Sequence, residues 1–215
     1  MTDAADLSTL LSELAARFPP EHPLALKPPA GDDAWAPLAA RFPGGHARRW
    51  YAATDGQANR LPAVDTHTFC SLSEARQALE IADAIRAEPE GYWVEPHWLA
   101  IAADGAGQHL MIDDRDGRVL SVAHDDDHID VLAESPEAWL ASLQRDLDEG
   151  VLVVDATFGL IDAAELAGIE ARREARRARD EPGPLPLQHK IGLTVCLLVL
   201  VVFMAALIWL FETNR

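Results

Sequence analysis

The residues in this chain best equipped for chemistry are its clustered aspartates and histidines. His124-Asp125-Asp126-Asp127-His128 offers the donor types of a divalent-metal site. Histidines at i and i+4 converge on one face of a helix, but this run lies between two apolar stretches that read as strands. In a loop the spacing brings nothing together, and no cysteine or second histidine cluster completes a tetrahedral set. As a calcium loop opening at Asp125 it fails too, because position 6 must be Gly and is Asp130, and position 12 must be Glu and is Pro136. Asp113-Asp114-Arg115-Asp116-Gly117 fails the same test. No metal and no cofactor are therefore expected. The chain also lacks a G-x-S-x-G elbow, an H-E-x-x-H helix, a Walker A loop and a dinucleotide glycine pattern, so the expectation is a non-catalytic protein.

Charge points to binding instead. The 215 residues hold 35 Asp and Glu against 18 Lys and Arg, a net charge of −17. The balance is uneven: residues 1–170 carry −20, whereas 171–190 carry six Lys/Arg against three acids. A domain this acidic repels phosphate backbones, which excludes nucleic acid as a direct ligand and favours a basic protein partner. Asp104, Asp113, Asp114, Asp125, Asp126 and Asp127 all fall in turn loops and are the candidates for supplying the field such a partner meets.

Those loops belong to a sheet. Apolar runs at 98–102, 110–112, 119–122 and 129–132 are separated by Asp104-Gly105-Ala106-Gly107, by 113–117 and by the acidic loop 124–128. Glycine supplies the positive φ that hairpins need. Connections this short cannot carry a parallel crossover, so an antiparallel meander of three or four strands is expected.

Helices should pack that sheet. Leu7, Leu10, Leu11, Leu14 and Phe18 keep the spacing of one helical face, ended by Pro19-Pro20. Trp35, Leu38, Ala39 and Phe42 repeat it after Asp32-Asp33, and a short helix through Trp50 and Tyr51 should close at Asp55-Gly56. Ser71-Leu-Ser-Glu74 is a capping box, opening a helix whose inward face is Ala75, Ala78, Leu79, Ala82 and Ile85. Ser135-Pro136 starts another, with Trp139, Leu140, Leu143 and Leu147 inward, and Gly150 ends it. The stretches 151–154 and 158–161 are either a strand pair or one strand and a turn. Asp162-Ala-Ala-Glu165 has capping spacing for an Arg-rich helix reaching about Asp180. Trp35, Trp50, Trp98 and Trp139 read as core, while Trp93 could line a surface groove.

The C-terminal quarter is different. Residues 181–190 are a Pro-rich linker, and 191–211, from Ile191 to Phe211, contain no charge. At about 1.5 Å per residue a helix of that length spans roughly 30 Å, a bilayer's hydrocarbon core. The Lys/Arg before it place the N-terminal domain in the cytoplasm by the positive-inside rule, and the Arg-rich helix becomes a juxtamembrane patch for anionic lipid. The N-terminus has no basic n-region and is not read as a signal peptide. Two cysteines, Cys70 and Cys196, imply no disulfide framework.

The order of motifs is similar to that of the SUKH superfamily. Trp98-Leu-Ala-Ile-Ala, Asp104-Gly105-Ala-Gly107, Leu110-Met-Ile-Asp113, Gly117-Arg-Val, His124-Asp125-Asp126 and Ser135-Pro-Glu-Ala-Trp-Leu140 follow one another as in the Smi/Knr-type cell-wall-assembly regulators and their bacterial immunity-protein relatives. Upstream, Lys27-Pro-Pro-Ala, Trp50-Tyr51-Ala-Ala-Thr-Asp55-Gly56-Gln57 and Phe69-Cys-Ser-Leu-Ser-Glu extend the likeness to about residues 24–162. The resemblance implies a protein that binds and neutralises a toxin, often a nuclease, or else a regulator or scaffold of envelope assembly. The expected architecture is α+β, an antiparallel sheet packed by helices. It divides into a domain over 1–162, an Arg-rich helix over 163–180, a linker over 181–190 and one transmembrane helix over 191–211.

Overall fold

The computed structural model describes residues 6–87, 94–123 and 129–180. The chain divides into two compact units, Met1–Leu166 and Ala167–Arg215. The linker, the charge-free stretch 191–211, Trp93 and the loop 124–128 lie outside the described residues. Among the described residues no helix is long and apolar enough to cross a membrane.

The first unit is α+β, centred on a five-stranded antiparallel sheet in the order β1-β2-β3-β4-β5. Its strands are β1 (Thr68–Phe69), β2 (Trp98–Ala103), β3 (Gln108–Asp113), β4 (Val119–Ala123) and β5 (Ile129–Ala133). The expected meander is β2 to β5. Strand β1 is an addition, two residues pairing Thr68 with Ala103 and Phe69 with Ala102. The registers Ala100↔Met111 and Met111↔Leu120 stack side chains on one face, and a bulge shifts β2 between Ala100 and Ala102. Strands β6 (Leu152–Asp155) and β7 (Gly159–Asp162) form a separate antiparallel pair, resolving that alternative in favour of two strands.

Helix α1 (Leu7–Ala16) buries Leu7, Leu10, Leu11 and Leu14, the stripe its spacing dictates. The helix expected across Trp35 to Phe42 is instead a four-residue α2 (Asp32–Trp35) followed by a 3₁₀ turn, Ala36–Leu38. Pro37 has no N–H to continue the i→i−4 ladder. Trp35, Leu38 and Phe42 are buried even so, whereas Ala39 is exposed. Helices α3 (His46–Ala53) and α5 (Pro136–Asp148) carry Trp50 and Trp139, whose rings lie 6.1 Å apart and both pack on Phe69. The four tryptophans read as core are all buried.

Helix α4 (Leu72–Arg86) begins at the capping box read from the sequence. Ala75, Leu79 and Ala82 are buried under it, but Ala78 is half-buried and Ile85 is 39% exposed. The inward face is narrower than expected, because the strip Ala78, Ile81, Ile85 overhangs the sheet beside a groove instead of packing onto it. Helix α6 (Ala163–Asp180) starts where the Asp162 carboxylate accepts the backbone N–H groups of Ala164 and Glu165, at 2.8 and 3.0 Å.

Candidate functional site

The sheet and α4 enclose a groove, and both ends of α4 are pinned. At its start, Glu74 Oε2 accepts from the Ser71 backbone N–H at 2.8 Å, while Ser71 Oγ accepts from the Glu74 N–H at 3.3 Å. The Asp55 carboxylate takes the Leu72 N–H at 2.7 Å, a contact spanning seventeen residues. Near its end, the Arg41 guanidinium grips Asp83 through two bonds, at 2.5 and 2.9 Å, and donates from Nε to the Pro96 carbonyl at 2.7 Å. Arg86 joins Asp83 to the Val94 carbonyl. Between these clamps an apolar hollow of about 250 Å³ opens, with Ile81, Ile85, Val94, Trp98 and Met111 among its walls. A more polar hollow of about 390 Å³ adjoins it, bordered by Arg60, Cys70, Glu74 and Asp104. Ala78 and His109 line both.

The carboxylates at the polar end are fixed by the backbone. Asp104 Oδ1 accepts from the N–H groups of Ala106, Gly107 and Gln108 at 2.8, 3.0 and 2.9 Å, tying the β2–β3 turn, in which Gly105 has φ of 77°. Burial raises the Asp104 pKa, but those N–H groups and the nearby His67 outweigh it, and the net shift is downward. Glu74 shifts the same way: burial raises it, and the Ser71 bonds together with Lys27 and Arg60 outweigh that. Cys70 lies between them with its thiol pushed up to about 12, chiefly by burial and also by the Glu74 charge. Thiolate is the reactive form, so Cys70 should resist alkylation in the native fold at pH 8 and label rapidly in denaturant. Iodoacetamide treatment with peptide mapping checks this; fast native labelling of Cys70 would contradict the burial.

Asp113 and Asp114, expected at the surface, are buried, with 0% and 2% of their area exposed. Asp113 accepts from the Trp98 indole Nε1 at 3.1 Å and from the Arg115 backbone N–H at 2.9 Å, with the Arg115 guanidinium 3.1 Å away. Burial raises its pKa, and the Arg115 bonds, the Trp98 bond and His97 bring it below the usual carboxylate range. Asp114 turns the other way and accepts the backbone N–H groups of Gly44, Gly45 and Ala47 at 2.7, 3.2 and 3.0 Å. It caps α3 from across the molecule. Both residues hold loops together. Asp104 is half-buried beside the polar hollow at the groove, and Asp114, although 2% exposed, borders a separate hollow with Pro43, Gly44, His97 and Arg115. Asp125, Asp126 and Asp127 lie outside the described residues, as do His124 and His128. Among the described residues no group of His, Cys, Asp or Glu is arranged to hold a metal ion.

Sequence comparison can be set on this geometry. Residues 47–142 match the SMI1 / KNR4 family (SUKH-1). The match begins in the first turn of α3, ends within α5, and contains all five strands of the main sheet, α4 and the whole groove. It is shorter than the 24–162 over which the motifs run. No curated protein matches the chain.

What sequence reasoning missed in the matched segment is the groove itself. Its walls come from α4, β2, β3 and the approach to β1, so no local pattern announces them. One signal was present: α4 carries apolar residues at 78, 81 and 85 in addition to 75, 79 and 82, more than one packed face requires.

Proposed function

We propose that the SUKH-1 segment is a non-catalytic protein-binding module of the immunity type, which captures and neutralises a basic toxin. The observation that carries this reading is the charge of −20 over residues 1–170. A field of that size steers a basic protein into encounter and raises its association rate by roughly 10- to 1000-fold. Asp104 contributes a carboxylate that the turn keeps ionised, and the consecutive acids Asp125, Asp126 and Asp127 add the densest run of negative charge.

The test uses the full chain, a basic toxic protein captured with it, and the variant Asp125→Lys/Asp126→Lys. Association at low salt should slow about tenfold and its salt dependence should flatten. Unchanged association kinetics would remove these residues from the encounter, and a captured partner with neither basic charge nor toxicity would overturn the reading.

A second reading, a membrane-tethered regulator or scaffold of envelope assembly, is favoured by one sequence feature. The uncharged residues 191–211 follow six Lys/Arg within 171–190, the composition of a span with its N-terminal side in the cytoplasm. Recovery of envelope-assembly proteins by the full chain alone, and not by a chain ending before 191, would select this reading.

A further inference from the structure

We propose that the groove along α4 receives an extended segment of the protein partner, in which a Lys or Arg lies three to five residues from a large apolar side chain. The proposal rests on the binding-module reading above and assigns that module its contact surface. The two hollows share Ala78 and His109 and so adjoin along α4, apolar towards its C-terminal end and charged at its N-terminal end.

Among the described residues the apolar end is incompletely covered. Ile81 is 54% exposed and Ile85 39%, over a floor that includes Trp98 and Met111. Their water-facing area is what an incoming Leu, Ile or Phe removes from solvent. The charged end selects a cation. Asp104 Oδ1 takes three backbone N–H groups, and no hydrogen bond to Oδ2 is formed among the described residues. Glu74 likewise uses Oε2 on Ser71. Arg60 borders the same end, and it and Lys27 act on Glu74, while among the causes that act on Asp104 there is no Lys or Arg. Asp104 is thus the better seat for an incoming ammonium or guanidinium. It is also prepaid in geometry, because the turn already holds the carboxylate and the partner need not order it.

The spacing follows from the helix. Glu74 and Asp104 border the same hollow, so α4 sets the scale of the groove: from Glu74 to Ile81 and Ile85 it advances about 10–16 Å at 1.5 Å per residue. An extended chain covers that in about three to five residues at roughly 3.3 Å each.

The experiment selects a displayed library of random 12-residue peptides on the immobilised full chain, then measures one enriched peptide against variants. Enriched sequences should pair Lys or Arg with Leu, Ile or Phe at the stated separation. Ile81→Glu, at an exposed position, should weaken binding at least tenfold. Asp104→Asn, which keeps the acceptor for the turn and removes the charge, should weaken it about three- to tenfold and flatten its salt dependence. Val131→Glu, at a 48% exposed residue on β5, should leave it unchanged. Peptides that bind but ignore Ile81→Glu, or that lack the spacing, would overturn the groove and leave the binding-module reading standing. No enrichment, or self-association of the full chain abolished by Ile81→Glu, would overturn the proposal as well. Failure of the module reading shows elsewhere, in a captured partner that is neither basic nor toxic.

Discussion

Asp114→Ala is expected to destabilise the first unit by about 2–4 kcal/mol, the loss expected when one buried and two part-buried donors lose a charged acceptor. The carboxylate is 2% exposed and serves three backbone N–H groups at the start of α3. That helix has no side-chain cap of its own, since its N-cap residue is Gly45. Alanine leaves the buried Ala47 N–H without its acceptor, while the part-buried Gly44 and Gly45 groups regain water only in part. The damage spreads because α3 delivers Trp50 and Tyr51, 0% and 1% exposed, to the core. Asp114→Asn, which keeps one acceptor, should lose roughly half as much. Gly44→Ala tests the same contact from the opposite side: a Cβ there would come within 1.7 Å of the Asp114 carbonyl oxygen, so the loop must move off the carboxylate. Its effect should equal or exceed that of Asp114→Ala. Denaturant unfolding of the full chain, followed by tryptophan fluorescence, reads all three; a midpoint for Asp114→Ala within error of the wild type would show that the cap contributes nothing.

This cap marks the boundary of what the sequence makes legible. Where a structural cause lies within a few residues, it can be read directly. The Ser71/Glu74 box, the Gly150 stop, the leucine stripe of α1 and the glycine turns of the meander all stand in the structure as local patterns dictate. Where the cause is distant, composition misleads. Asp104, Asp113 and Asp114 look alike as turn aspartates, yet the first is half-buried and the other two are buried. The difference depends on whether Trp98 or residues 44–47 come to meet them, partners that lie fifteen or more positions away. Strand β1 escaped for another reason: two residues are too few to show alternation. Ile85 reads as inward from its spacing, three residues after Ala82, and only the path of α4 over β2 decides that it overhangs a groove.

Asp113→Ala should cost about 2–3 kcal/mol at neutral pH, and this cost should shrink in acid. The estimate rests on two bonds, those from Trp98 Nε1 and the Arg115 backbone N–H, because the Arg115 side chain is 62% exposed and regains water when its partner is lost. The pH dependence has a definite sign. The folded carboxyl titrates below its unfolded value of about 3.9, so between the two the unfolded chain binds more protons and acid favours unfolding. The contribution is complete above about pH 4 and is lost as pH falls through the folded pKa. Glu74, Asp83 and Asp104 are lowered as well, so wild type and variant should both weaken in acid. The gap between their unfolding curves isolates Asp113, and it should be widest near neutrality and narrow towards pH 2. A gap independent of pH over that range would mean that the ionised form of Asp113 is not what secures the indole of Trp98, and that packing around the turn accounts for the loss.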